Sequence, residues 1–215
     1  RRHHAPLDRT MTAVPLEAAS VDKSPAPRGD GRHRRSRRNR DSIVDAMFSL
    51  IQAGKMEPSA AEVAQQAGVS ARTVFRHFED MDSLYAEMTQ RMEKDIFPII
   101  RQPFPEAGWR ERLDDLLGRR FKIYDRIMPL KTAANIRRFG SPYLMAQYRR
   151  FLSLERELLM GVLPDSARDD ATLFAALEMC AGFQTWPRLR QDQQLDADQA
   201  AAVVRLTIDR LLTDI

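Results

Sequence analysis

The chain has 215 residues, of which 43% are hydrophobic, and this excludes a wholly disordered protein. Its single cysteine excludes an intrachain disulfide framework and a metal site built from several cysteines. No apolar run reaches the roughly 18–20 residues that a membrane-spanning helix needs, and the first residues lack the apolar segment of a secretory signal.

The positive charge of the chain is concentrated at its N-terminus. Residues 1–40 contain 11 Lys/Arg and 4 Asp/Glu, and the run RHRRSRRNR at residues 32–40 holds six arginines. Such a run repels itself and has no apolar partner, so we expect residues 1–37 to be a disordered basic arm. A solvated tail is one interpretation. The other is an arm that binds phosphates or a minor groove through Arg35, Arg37 and Arg38.

A first helix is predicted from about residue 38, where apolar residues begin to recur at three- and four-residue steps. It ends near Gly54, which suits a left-handed C-terminal cap. A second helix starts behind Ser59, since a glutamate three residues later completes a capping box. Gly68 then makes a tight turn, and Ser70 caps a third helix.

The third helix is predicted to have an inner and an outer face. Val74 and Phe78 lie four residues apart and face the core. Arg72 faces outward near the start of the helix, where its guanidinium can pair with guanine O6 and N7. Two helices joined by a tight turn, the second carrying long donors, indicate a helix-turn-helix, although an ordinary helical hairpin is the alternative. The candidate DNA contacts are Ser59, Ser70, Ala71, Arg72, Thr73, Phe75, Arg76 and His77.

The rest of the chain is also predicted to be helical. A fourth helix is capped by Asp80 or Asp82 and ends near Pro98. Later helices are separated by turn signals such as Pro129, and they are predicted at residues 109–127, 130–139, 142–162, 168–190 and 197–213. No run has the period of a strand, so the predicted fold class is all-α.

Catalytic and metal-binding constellations are missing from the C-terminal part of the sequence. The four histidines are His3, His4, His33 and His77, so none lies beyond residue 90. This excludes a Ser-His-Asp triad or an H-E-x-x-H zinc site there. Glu155 and Glu157 lie two apart and are interpreted as solvated charges. We therefore expect no enzyme activity, no metal and no cofactor.

The stretch AEVAQQAGVSARTVFRHFEDMDSL, residues 61–84, resembles the N-terminal DNA-binding domain of TetR-type transcriptional regulators. The resemblance extends from about residue 38 to residue 88. It depends on Val63–Ala64, Ala67–Ser70 and Thr73–Phe78.

The resemblance implies a helix-turn-helix domain at residues 38–90 and a helical effector-binding and dimerisation domain at residues 91–215. Three positions depart from the family pattern, because Phe75, Met81 and Ala61 replace a tyrosine, a lysine and a basic residue that are often found there. Each departure removes a donor to DNA. Residues 41–90 also hold 3 Lys/Arg against 8 Asp/Glu, so we expect the basic arm to compensate.

Large and soft apolar side chains on the C-terminal helices predict an adaptable cavity, with ordinary core packing as the alternative. In the family such a cavity binds a small effector. The candidate effector contacts are Tyr124, Tyr148, Phe151, Phe183, Gln184 and Trp186.

The last two helices carry apolar stripes that predict a four-helix interface between two copies of the chain, with burial inside a monomer as the alternative. The stripes comprise Leu173, Phe174, Leu177, Ala181, Val203, Val204, Ile208, Leu211 and Leu212.

The resemblance thus implies a cytoplasmic, nucleoid-associated transcriptional repressor without a membrane partner. It binds a palindromic double-stranded DNA operator as a homodimer and is released by a small-molecule effector of unknown identity. The alternative is a helical interaction module whose arginine tract binds nucleic acid or anionic membrane without sequence preference.

Overall fold

The computed structural model describes residues 28–213 and residue 215. All regular secondary structure in this part of the chain is helical, which confirms the all-α prediction. None of the helices described here combines the length and the apolar character that crossing a bilayer requires. The first part of the expected disordered arm, residues 1–27, lies outside the described residues.

The N-terminal helices are α1 (Arg28–Gln52), α2 (Ala60–Gln66), α3 (Ala71–His77) and α4 (Met81–Ile100). The C-terminal helices are α5 (Trp109–Arg137), α6 (Pro142–Val162), α7 (Asp165–Asp169), α8 (Ala171–Ala181), α9 (Thr185–Pro187) and α10 (Ala197–Leu211). A 3₁₀ turn at Arg138–Gly140 follows α5, and a π turn at Arg188–Asp192 follows α9.

The arginine run is helical rather than disordered, because α1 begins at Arg28 instead of near residue 38. The expectation of a disordered arm is therefore wrong for residues 28–37. Arginine has a high helix propensity, and extending an existing helix costs far less than starting a new one. The helix is anchored further on, where Ile43 and Met47 are completely buried. Its side chains from His33 to Arg38 are exposed.

Two glycines make the turns on either side of α2. Gly54 has a φ of +90° and Gly68 a φ of +66°, both in the left-handed region that favours glycine. At the second turn the Val69 amide donates to the Ala64 carbonyl, which closes the end of α2. The turn between α2 and α3 is therefore as tight as the sequence predicted.

Side-chain caps start the next helices at the predicted positions. Ser59 accepts from the Glu62 amide while the Glu62 carboxylate accepts from the Ser59 amide, which is the predicted capping box. Ser70 caps α3. Asp80, rather than Asp82, caps α4.

The predicted break at Pro129 is wrong, because α5 continues through this residue to a length of 29 residues. A proline inside a helix removes one amide donor and one hydrogen bond. Ile127 and Leu130 on either side of it are buried, and this packing holds the helix together.

The predicted helix at residues 168–190 is instead divided among α7, α8 and α9. The division after α8 falls at Gly182, where the backbone is extended. A Cβ atom at this position would lie 2.9 Å from the Glu178 carbonyl oxygen, so the turn needs a residue without a side chain.

Two buried clusters hold the helices together. The C-terminal cluster joins α4, α5, α6, α8 and α10 around Trp186. The N-terminal cluster joins α1 to α4 around Met47, and it also buries Leu130 and Ala133 of α5 and Leu144 of α6. Because the C-terminal helices contribute side chains to the N-terminal cluster, the two halves are packed against each other.

Candidate nucleic-acid interface and cavity

The short helix α3 is fixed by its inner face and presents its outer face to solvent. Val74 and Phe78 are each only 2% exposed and hold the helix against α1 and α2. Arg72 and Arg76 are exposed on the other side. Phe75, on the same side, is 56% exposed. The helix therefore offers two guanidinium groups and one aromatic ring to a partner.

The serine hydroxyls at the helix starts are already engaged. Ser59 Oγ donates to the Glu62 carboxylate at 2.8 Å, and Ser70 Oγ is hydrogen-bonded to Thr73 Oγ1 at 2.9 Å. Hydrogen bonds from Lys55 and Ser59 lower the pKa of Glu62 to about 2. A carboxylate that stays ionised beside Ser59 disfavours a phosphate contact at the start of α2.

His77 does not present a donor on the outer face of α3. Its side chain is half-buried, and its Nε2 atom is enclosed without a hydrogen-bond partner. Burial lowers the pKa of His77, and the nearby charges of Arg76 and Arg40 act in the same direction. A neutral imidazole that faces the protein is a weaker candidate for a phosphate contact than the sequence suggested.

Arg40 belongs to the structural frame of α3 rather than to a flexible arm. It donates to the His77 carbonyl at 2.7 Å and to the Glu87 carboxylate at 2.9 Å. Its guanidinium also lies 4.3 Å from the centre of the Phe78 ring. The sequence held a signal for this role, because Arg40 lies four residues before the buried Val44 and so shares the inner face of α1.

The net negative charge of residues 41–90 is partly neutralised by ion pairs with arginines outside that segment. Arg91 contacts Asp41 at 2.6 Å and Asp45 at 3.1 Å, and Arg40 contacts Glu87. A charge count over a fixed window missed these two arginines. Arg35, Arg37 and Arg38 remain exposed on the first turns of α1.

This helix-turn-helix matches a known family. Residues 43–88 match the model of bacterial regulatory proteins of the tetR family. A segment of 79 residues is 34% identical to an uncharacterised HTH-type transcriptional regulator from Haemophilus influenzae, and it covers 36% of either chain. The chain thus spans about a third of the length of that curated relative.

The chain carries a TetR-family DNA-binding domain. The matched family model describes bacterial regulatory proteins, and the match covers residues 43–88.

The whole fold also resembles solved structures of such regulators. A transcriptional regulator from Rhodococcus sp. RHA1 is 18% identical, with a TM-score of 0.62, over 83% of this chain and 96% of that one. A TetR-like transcriptional regulator from the same organism is also 18% identical, with a TM-score of 0.56 and the same coverage. At this identity the likeness concerns the fold, and it extends well beyond the TetR domain.

Behind the TetR domain, a cavity of about 120 Å³ lies between α4, α5 and α6. Of the six predicted effector contacts, Tyr124, Tyr148 and Phe151 line it. The other three lie outside its lining.

The prediction that an effector contacts Phe183, Gln184 and Trp186 is corrected by their positions outside the cavity. Trp186 stacks on Phe121 at 4.9 Å and donates to the Asp125 carboxylate at 2.8 Å, so it is a core residue with a satisfied donor. Phe183 is buried behind the cavity wall, with its ring 5.5 Å from that of Tyr124. Gln184 is exposed, because the turn at Gly182 directs it outward.

Glu155 is buried, and its interpretation as a solvated charge is wrong. It is 8% exposed, and its carboxylate accepts hydrogen bonds from the Tyr124 hydroxyl and, at 2.9 Å, from the Phe183 amide. Burial raises the pKa of Glu155, and it raises the pKa of Tyr124 well above its usual range. Glu157 is exposed, as predicted. Glu155 stands four residues before the buried Leu159, which was the available sequence signal.

Two cations face the cavity from α5. Arg120 is 5% exposed and donates to the backbone carbonyls of Glu155 and Ala181. Lys131 is 9% exposed, and its Nζ atom lies 3.7 Å from the centre of the Phe151 ring. Burial lowers the pKa of Lys131 to about 8. Sequence reasoning missed both residues, because neither belongs to a recognisable motif.

The cavity helices are tied to the helix that follows α3. Asp82, in the first turn of α4, accepts a hydrogen bond from Ser141 Oγ at 2.6 Å and lies 3.7 Å from Arg137. Ser141 also accepts from the Leu144 amide and so caps α6. The end of α5 and the start of α6 therefore meet the start of α4, which belongs to the TetR domain.

The predicted dimer stripes are mostly core residues of a single chain. Buried members of the stripes are Phe174, Leu177, Ala181, Val204, Ile208 and Leu212. The large exposed apolar side chains of α8 and α10 are Met179 (68%) and Leu206 (59%), together with Val203 (39%), which belongs to the predicted stripes. The buried residues are not accessible to a second copy, so the predicted stripes are corrected. A homodimer through these two helices stays a proposal.

Proposed function

We propose that the chain is a sequence-specific repressor that binds a palindromic operator as a homodimer and leaves it when a small effector binds. The observation that carries this proposal is the orientation of α3. Its inner residues Val74 and Phe78 are clamped, and Arg72, Phe75 and Arg76 point away from the protein.

Binding begins with α3 in the major groove. Arg72, at the start of the helix, pairs with a guanine edge, and Arg76 one turn later reaches a base or a phosphate. The exposed ring of Phe75 packs against a thymine methyl group, a contact that its missing hydroxyl does not impair. Arg40 contributes indirectly, because it holds the end of α3 against α1 and α4.

The basic start of α1 supplies affinity without sequence preference. Arg35, Arg37 and Arg38 lie on a helix that is continuous with the packed part of α1. They neutralise phosphates and release counterions, and this part of the binding energy weakens as salt is added.

The dimer forms when the exposed apolar face of α8 and α10 pairs with the same face of a second copy. Met179, Val203 and Leu206 are the side chains that such an isologous interface would cover. A two-fold dimer presents two α3 helices, so its operator has half-sites roughly 34–36 Å apart, or a multiple of this distance.

Effector binding is coupled to DNA binding through α4. The cavity wall includes α4, and the start of this helix is joined to α5 and α6 at Asp82 and Ser141. An effector releases the operator only if it binds more tightly to an arrangement in which the two α3 helices no longer fit both half-sites.

The experiment is selection of bound fragments from random DNA, followed by affinity measurements with variants. Arg72→Ala should weaken binding to the selected site roughly ten- to a hundred-fold, since one bidentate arginine–guanine contact is worth roughly 1–3 kcal/mol. Its binding to random DNA should change little. The matched control is Arg149→Ala, which removes an exposed arginine of α6. Equal losses on the selected site and on random DNA would favour the alternative of a non-specific arginine tract.

A further inference from the structure

The cavity between α4, α5 and α6 has an unequal charge balance. Arg120 and Lys131 are cations that line it and are nearly buried, whereas Glu155 is the one buried carboxylate among its described lining residues. At the rim, Glu93 and Arg150 lie 3.7 Å apart and offset each other. The interior of the cavity therefore has an excess of positive charge, which a low-dielectric environment makes costly.

Arg120 and Glu155, the other two buried charged groups of the cavity, are hydrogen-bonded within the protein. Arg120 donates to two backbone carbonyls, those of Glu155 and Ala181. The Glu155 carboxylate accepts from Tyr124 and from the Phe183 amide. Each of these two groups therefore has two hydrogen-bonded partners within the protein.

Lys131 is different. Within the part of the chain that the structure describes, no group accepts a hydrogen bond from its ammonium or lies close enough for an ion pair. It contacts two ring faces instead, at 3.7 Å from the centre of Phe151 and 5.9 Å from that of Tyr148. A ring face replaces only part of the stabilisation that an ammonium group loses on leaving water. An ammonium group has three donors, and those of Lys131 are available to an anion.

The remaining cavity wall is apolar, and the space is small. Ile96 and Phe97 of α4, Ile123 of α5 and Leu158 of α6 lie along it. The volume of about 120 Å³ is of the order of an engineered apolar cavity that takes up one benzene molecule. The ligand that fits this space has an apolar body of about one ring.

We propose that this cavity binds a small organic monocarboxylate, with its apolar body among α4, α5 and α6 and its carboxylate on the ammonium group of Lys131. This inference rests on the proposed function, because it gives the chemical class of the effector. An ionised carboxylate neutralises the excess charge and accepts the donors of Lys131. A neutral amide of the same shape leaves the excess charge in place and offers a single carbonyl acceptor in place of an ionised carboxylate.

The charged and titratable groups that face Lys131 come from all three helices. They are Glu93 on α4, Arg120, Tyr124 and Arg138 on α5 and the turn that follows it, and Tyr148 and Glu155 on α6. Glu155 favours the protonated form of Lys131, and Arg138 opposes it. Since burial lowers the pKa of Lys131 to about 8, affinity for a carboxylate should fall as pH rises above that value.

The test compares benzoate with benzamide, a neutral molecule of nearly the same shape, by titration calorimetry on the full chain at pH 7. Benzoate should bind about ten- to a hundred-fold more tightly, as expected for one charge-assisted hydrogen-bonded contact. Lys131→Met should remove this preference. The matched control, Lys122→Met, makes the same change at an exposed position of the same helix and should keep it.

Equal affinities of the wild type for the two probes would overturn the inference, as would a preference that survives in Lys131→Met. If Lys131→Met does not fold, the pH dependence of the wild-type protein tests the inference. Its preference for benzoate should shrink between pH 7 and pH 9.5, and a constant preference would contradict a role for Lys131. If benzamide binds as tightly as benzoate and also causes the protein to leave the operator, the proposed class of ligand is refuted. The proposed function is then unaffected. Loss of specific DNA binding in the selection experiment would instead refute the proposed function.

Discussion

At Gly68 the chain turns from α2 to α3 with a φ of +66°, a conformation in which a Cβ atom crowds the following carbonyl. Gly68→Ala should lower the free energy of unfolding by about 1–2 kcal/mol, measured by urea denaturation at a fixed protein concentration. Gly140→Ala is the matched control. A Cβ meets no atom within 4 Å at either position, and Gly140 has no positive φ, so it should change stability by less than about 0.5 kcal/mol. Equal effects would show that the turn is not strained.

The burial of Lys131 also predicts how the stability of the protein changes with pH. Below about pH 8 the folded protein carries a buried ammonium group and its cost, which Lys131→Met removes. Between about pH 8 and pH 10.5 the unfolded chain binds more protons at this residue than the folded chain does, so wild-type stability rises with pH relative to the variant. Denaturant melts of both proteins from pH 7 to pH 10 measure this difference. Parallel pH profiles would mean that Lys131 is not buried in its charged form.

Among the elements, α1 combines a packed half with a basic half. Changing Arg35, Arg37 and Arg38 to glutamine keeps the helix and removes its charge, whereas deleting residues 1–37 would also remove helical turns. The plot of log affinity against log salt should become less steep by up to about 0.9 for each phosphate that the helix no longer neutralises. Replacing Arg101, Arg149 and Arg188, which are exposed elsewhere, is the control and should leave the slope unchanged. An unchanged slope in the first variant would remove α1 from the binding surface.

Short elements were predictable from the sequence because their determinants are local. The capping box at Ser59, the glycine turn at Gly68 and the cap at Ser70 each depend on neighbours within about five residues. These features fix α2 and α3, and with them the outer face that carries Arg72. The pair α2 and α3 was therefore largely predictable from the amino-acid sequence alone, whereas the helical start of α1 was not.

Features that depend on distant parts of the chain were not predictable in this way. Pro129 stays helical because of tertiary packing on both sides of it. Glu155 is buried because Tyr124 and Phe183 approach it from other helices. Contacts between residues on different helices leave no periodic pattern in a single sequence. The polar residues of the cavity were therefore not predicted.

At the scale of the whole molecule, the arrangement of the two copies in the proposed dimer decides whether both α3 helices reach one operator. Leu206→Glu places a charge on the exposed apolar face of α10 and should shift the protein to a monomer in sedimentation equilibrium, with its helical content preserved. Operator affinity should fall with it. Leu152→Glu is the matched control, because Leu152 is 37% exposed on α6 and away from that face. A dimer that persists in Leu206→Glu would place the interface elsewhere.

The central claim is that Arg72 reads a guanine from the major groove. A double-mutant cycle tests it most directly, combining Arg72→Ala with replacement of the contacted guanine of the selected operator by 7-deazaguanine, which lacks N7. We expect each change alone to weaken binding, and the second change to cost little once the first is present, with a coupling energy of about 1–3 kcal/mol. Additive losses at every guanine of the operator would show that Arg72 does not contact these bases, and would contradict recognition through α3.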